Sequence, residues 1–126
     1  MNKQELFIKL LNEAYPKAKH LLRKDWLQEN IKSKIPSTGF CYIATEALFH
    51  MLGGKKSNLK PKCASYSEGT HWWLVDNKDN ILDPTLSQYE NSSPPYKLGK
   101  CMGFQNGYVK PSKRAKALID IALQNS

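Results

Sequence analysis

Residues 71–83 carry the pattern that most restricts how this chain can fold. His71-Trp-Trp-Leu-Val-Asp76 has the aromatic and β-branched content of a strand, and Ile81-Leu-Asp83 repeats it more briefly before Pro84. Between them, Asn77-Lys78-Asp79-Asn80 has strong turn chemistry, so the two runs predict an antiparallel hairpin. Residues 60–67 alternate loosely and supply a third strand. One further strand is expected around residues 100–104, inside a loop-rich stretch punctuated by Pro94-Pro95, Gly99, Gly103 and Gly107.

Helical periodicity surrounds this sheet. Leu6, Phe7, Leu10, Leu11 and Ala14 fall on one face of a first helix closed by Pro16. A second helix is expected over residues 17–34, with Leu21, Leu22, Trp26 and Ile31 facing inward. Ile35-Pro-Ser-Thr-Gly39 interrupts the pattern. The segment from Phe40 or Cys41 to Leu52 is the most apolar in the chain and reads as a central helix, capped by Ser37 or Thr38 and ended by Gly53-Gly54. Pro111-Ser112 opens a last helix over 112–124, lined by Ala115, Leu118, Ile119, Ala122 and Leu123. The 126 residues, 40% of them hydrophobic, suit one domain with one core: a helical part (3–35), a core segment (37–86), a loop-rich segment (87–110) and the last helix. No apolar run approaches the ~18 residues of a membrane span, and the N-terminal segment lacks a signal-peptide pattern, so a cytoplasmic location is expected.

The chemistry points to Cys41. A thiolate, not a thiol, attacks carbonyls, and a helix N-terminus favours the anion through unpaired N–H groups and the helix dipole. The other two cysteines, Cys63 and Cys101, form no CxxC pair with it, which fits neither a disulfide scaffold nor a common zinc pattern; no metal or cofactor is expected. His71, at a strand start, can serve as the base, and Asp83 can orient it. Their numbers sum to an even value, so they share a face of the hairpin if the turn holds an odd number of residues or the ladder holds a bulge. Asn77, Asp79 and Asn80 all tolerate the left-handed conformation such turns need.

Gly39-Phe-Cys41 leading a helix, His71-Trp-Trp on one strand and Ile81-Leu-Asp83-Pro-Thr85 on the next resemble the transglutaminase-like core of the papain-like cysteine hydrolases. The resemblance covers residues 37–86, less than half of the chain, and its most specific part is the pairing of HWW with LDPT. It implies an α/β (α+β) fold in which a buried helix packs on a small antiparallel sheet with flanking helices. It also implies a Cys41-His71-Asp83 triad that opens an amide or isopeptide bond of a protein or peptide-like substrate through a thioester. One departure is that the Gln often found just before the cysteine is absent, the nearest being Gln28. The second oxyanion donor is left open among Trp26, Gln28 and a backbone N–H. Trp26, Gln28, Tyr42 and Trp73 are the candidate substrate-contacting residues, Trp73 because it shares a face with His71.

Each of these residues also has a structural reading. Free cysteine is commonly a small core side chain, and Asp before Pro is a common turn residue. Glu46 and His50 share a helix face, yet a His in a last turn usually just complements the dipole. The net charge of +8 and the cluster Lys110, Lys113, Arg114 and Lys116 raise a competing class, a non-enzymatic binding module whose basic surface engages nucleic acid or an acidic protein; a monomer is expected in either case.

Overall fold

The computed structural model describes residues 1–66, 69–90, 92–104 and 107–124. Ser67, the last residue of the strand expected over 60–67, and Glu68, which follows it, lie outside them. Among the described residues there are four α-helices and one four-stranded antiparallel sheet, so the fold is mixed α+β. None of these helices is long and apolar enough to cross a membrane.

Helix α1, Lys3–Ala14, is capped by the Asn2 side chain, which accepts from Glu5 N–H, and it buries Leu10, Leu11 and Ala14. The expected helix over 17–34 is broken. Tyr15–Lys17 and Lys19–Leu21 form short 3-10 turns, Leu22 and Arg23 are extended, and only Lys24–Ser33 is α-helical, as α2. Nothing local forbids a longer helix there. The break follows a distant partner, because Arg114 donates to the Leu21 carbonyl and gives it an acceptor role outside any helical ladder. Ile31, expected inside, is 58% exposed. Asn30 is buried instead, and its amide donates to the carbonyls of Pro36 and Thr38, fixing the loop that leads into the next helix.

That helix, α3, spans Cys41–Met51 and buries every residue from Ile43 to Phe49. A helix buried all round is a central element, consistent with its composition. Its N-cap is Phe40, without a side-chain cap. Ser37 bonds Ser87 and Thr38 bonds Ser33, so neither caps the helix as expected. Gly39 has φ +88, and a side chain there would press on Trp26, so this position suits glycine.

Strands β1 (Lys60–Tyr66), β2 (Gly69–Val75), β3 (Ile81–Leu82) and β4 (Lys100–Cys101) lie in the order β3-β2-β1-β4. The β2–β3 hairpin pairs Leu74 with Leu82 and Val75 with Ile81, and Asp76 N–H bonds back to the Asn80 carbonyl. Three residues, 77–79, therefore form the turn, with Asp79 left-handed at φ 61. This is the odd-numbered turn that lets His71 and Asp83 share a face.

Trp72, Leu74 and Leu82 face the main core with Phe40, Leu48 and Phe49, whereas Ala64, Trp73 and Val75 face a smaller cluster covered by Tyr96. Helix α4, Lys113–Leu123, packs on α1 and α3 and is capped by the Ser112 side chain, which accepts from Ala115 N–H.

Candidate active site

Cys41 is the first residue of α3, and the position of its sulfur follows from the shortness of β3. Because β3 pairs only with Val75 and Leu74, the outer edge of β2 beyond Leu74 carries no strand. The N-terminus of α3 meets that bare edge. Cys41 Sγ donates to the Thr70 carbonyl at 3.4 Å, and the N–H groups of Trp72 and Tyr42 point at the sulfur. Those N–H groups favour the thiolate, yet burial outweighs them and, with Asp83 nearby, the thiol pKa is pushed up to about 11. At rest Cys41 is a protonated thiol.

His71 leaves the opposite face of β2 and is fully buried, stacked on Trp73 and edge-on to Tyr89. Its Nε2 lies 2.7 Å from Asp83 Oδ2. Asp83 also accepts from Tyr96 OH at 2.7 Å and from Thr85 N–H at 3.0 Å, with the Thr85 hydroxyl at 3.4 Å. An acceptor so fully supplied with donors favours the imidazole tautomer with its proton on Nε2, in which the Nδ1 lone pair accepts a hydrogen bond. Tyr96 stays protonated, because burial first and Asp83 second raise its pKa.

The third link differs from expectation. Nδ1 faces Gln88, whose side-chain Nε2 lies 3.0 Å away, while the Cys41 thiol is turned to Thr70. The His71–Asp83 pair is formed, and the Cys41–His71 hydrogen bond is not. Gln88 is half-buried on the 3-10 turn Leu86–Tyr89, just after the Asp-Pro-Thr run. Sequence reasoning sought an amide upstream of the cysteine and missed this one, which follows the aspartate by five residues; Tyr96 was missed as well. Neither has a local signal, since each reaches the site from a segment without periodicity.

A cavity of about 760 Å³ opens over Cys41, with Gln88 on its wall and Trp26, Tyr42 and Trp72 among its lining. Trp26 and Tyr42 therefore stand where substrate contact was expected. Trp73 does not, because it shares the His71 face and is fully buried between His71 and Tyr96, where it can only pack. Its neighbour Trp72, on the other face, reaches the cavity. Gln28 is exposed and does not line the cavity.

The basic start of α4 has a structural cause. The buried Glu46 on α3 accepts from Ser112 N–H at 2.6 Å and brings an acidic side chain to the positive end of the α4 dipole. This contact needs Gly107, where a Cβ would lie 2.4 Å from the Glu46 carboxyl group. Lys116 pairs with Asp120 on the surface, and Arg114 turns inward to Leu21. His50 bonds the Gly107 carbonyl. A scan of protein-family models, a search of curated proteins and a search of solved structures each returned no match to this chain.

Proposed function

We propose that this protein is a cysteine-dependent acyl-transfer enzyme of transglutaminase-like, papain-like architecture, and that it hydrolyses an amide or isopeptide bond. The observation that carries this reading is the buried His71. One ring nitrogen is fixed by a fully hydrogen-bonded Asp83, and the other is met by the amide of Gln88, which lines the same cavity as Cys41. A histidine held this way with no use for its Nδ1 lone pair would be a costly core residue, since a buried polar pair stabilises less than a well-packed apolar one.

In the proposed cycle Gln88 first leaves Nδ1. The Cys41 thiol then gives its proton to Nδ1, and the sulfur attacks the substrate carbonyl carbon to form the C–S bond. The oxyanion is held by the Cys41 N–H, and the displaced Gln88 amide, which completes a pair of donors, takes the second position. Collapse of the intermediate breaks the C–N bond as Nδ1 returns its proton to the leaving amine. Water, deprotonated by Nδ1, then adds to the thioester carbon; the C–S bond breaks, the acid product leaves and Nδ1 returns its proton to the Cys41 sulfur. The Gln28 alternative for the second donor is set aside, because that side chain lies away from the cavity.

The test is acylation by an activated peptide ester, with each cysteine-containing peptide weighed by mass spectrometry. Acylation confined to Cys41, lost in Cys41→Ser and His71→Ala and kept in Cys63→Ser and Cys101→Ser, is the expected result. Equal modification of all three thiols, indifferent to His71→Ala, would return Cys41 to the status of a core cysteine.

A further inference from the structure

The cavity over Cys41 has a second, charged end. Arg23, the extended residue that precedes α2, and Arg114, in the first turn of α4, both line it. Arg114 donates through Nε and Nη2 to the carbonyl of Leu21, two residues before Arg23, which brings the two arginines to the same cavity wall, close enough for the Arg23 charge to act on Arg114. Among the described residues the ion pairs are His71–Asp83 and Lys116–Asp120, so neither guanidinium has a carboxylate partner. Burial and the neighbouring Arg23 charge both lower the basicity of Arg114, as expected for like charges held together in a partly desolvated place. Glu46 is the acidic side chain of the lining, and it is engaged by Ser112 N–H at the start of α4.

Two guanidinium groups on one cavity wall are a disfavoured arrangement that an anion relieves, and their forked donors suit a carboxylate. Trp26, Gly39 and Tyr42 line the same cavity as the arginines and Cys41, and their surfaces suit an extended apolar or peptide chain. We propose that Arg23 and Arg114 form a carboxylate-recognition subsite, so that the acyl donor carries a carboxylate near the bond that is opened. This substrate class rests on the reading of Cys41 as nucleophile, although the subsite binds its ligand without it. The carboxylate has two possible sources, a free peptide C-terminus or an acidic side chain.

Calorimetric titration of the Cys41→Ser protein, which binds without turnover, separates the cases. Three acetylated tripeptides serve as probes: one with a free C-terminal carboxylate, its C-terminal amide, and that amide with a glutamate side chain introduced. At least one carboxylate form binds roughly tenfold more tightly than the neutral amide, and which one does identifies the source. The preference shrinks to about twofold or less in Arg23→Gln, a substitution at an exposed residue without a carboxylate partner. Arg23→Lys keeps part of it. Equal affinity for all three peptides, no binding by any of them, or a preference that survives Arg23→Gln would overturn the proposal. Inorganic phosphate competing far better than acetate would replace it with a phosphate site. Because no arm reads acyl transfer, a failure here leaves the thioester test standing, and the reverse.

Discussion

The two halves of the site are built to different degrees of completion. Around His71 the half proposed to supply the base is finished: a buried imidazole, an aspartate with several donors, one aromatic ring stacked on it and another packed edge-on. Around Cys41 the half proposed to supply the nucleophile is unfinished: its thiol is protonated and bonded to a backbone carbonyl, while the Nδ1 of His71 is taken by the Gln88 amide. In the proposed cycle the contrast means that preorganisation is spent on orienting the imidazole, while activation of the sulfur would need one side chain, Gln88, to move. A thiol kept neutral at rest is protected from adventitious oxidation, since that susceptibility follows thiolate character.

The widest gap between the halves concerns turnover. Cys41→Ser and His71→Ala should each lower peptide-ester hydrolysis by at least ~10³-fold without changing the far-ultraviolet circular dichroism. Asp83→Asn attacks the base half alone. It should reduce turnover by about 10²–10⁴-fold and, by removing the charged acceptor for His71 and Tyr96, cost about 2–3 kcal/mol in urea denaturation. If Asp83→Asn changes stability but not rate, the base half is structural only.

The nucleophile half carries a pH signature of its own. The unfolded chain releases the Cys41 proton near the ordinary 9.0, while the folded chain holds it to about 11. Folded protein therefore binds more protons in that window. The contribution is fully present below pH 9 and fades as pH rises towards 11, by up to ~2 kcal/mol for a partly buried sulfur. Cys41→Ala should flatten that part of the stability profile. Gln88→Ala should sharpen the comparison by freeing Nδ1: iodoacetamide labelling of Cys41 at pH 7 rises about tenfold while ester hydrolysis falls. No rise in labelling would mean that Gln88 does not stand between the two halves. The smallest effect is expected from Tyr96→Phe, which removes one of the bonds to Asp83 and should cost about 1.5 kcal/mol with a modest shift in the acidic limb of the rate profile.

Much of the frame was legible because it is local. The periodicity of residues 3–14, 41–51 and 113–123 found three helices, and the HWW–LDPT spacing with its odd turn found the hairpin and the His71–Asp83 pair. What escaped depends on contacts across the chain. The 17–34 segment breaks because residue 114 takes a carbonyl from it; Asn30, not Ile31, is buried because the Pro36 and Thr38 carbonyls need donors. Trp72 and Trp73 alternate in facing by the rules of a strand, but which face borders the cavity depends on where α3 docks. Gln88 and Tyr96 sit in segments whose composition predicts only loop.

Both outer strands of the sheet are two residues long, and the stretch of β2 left uncovered by β3 is occupied by the sulfur of Cys41. An unpaired edge of several residues is a template on which a second chain can add a strand and begin an aggregate. Here β1 keeps an open flank beyond its two residues of pairing with β4, whereas on β2 the flank beyond β3 is met by the side chain proposed to do the chemistry. Selection on the cysteine would then act on solubility as well as on turnover. A lineage that lost the reaction would still meet a reason to keep a small side chain and a helix end at residue 41.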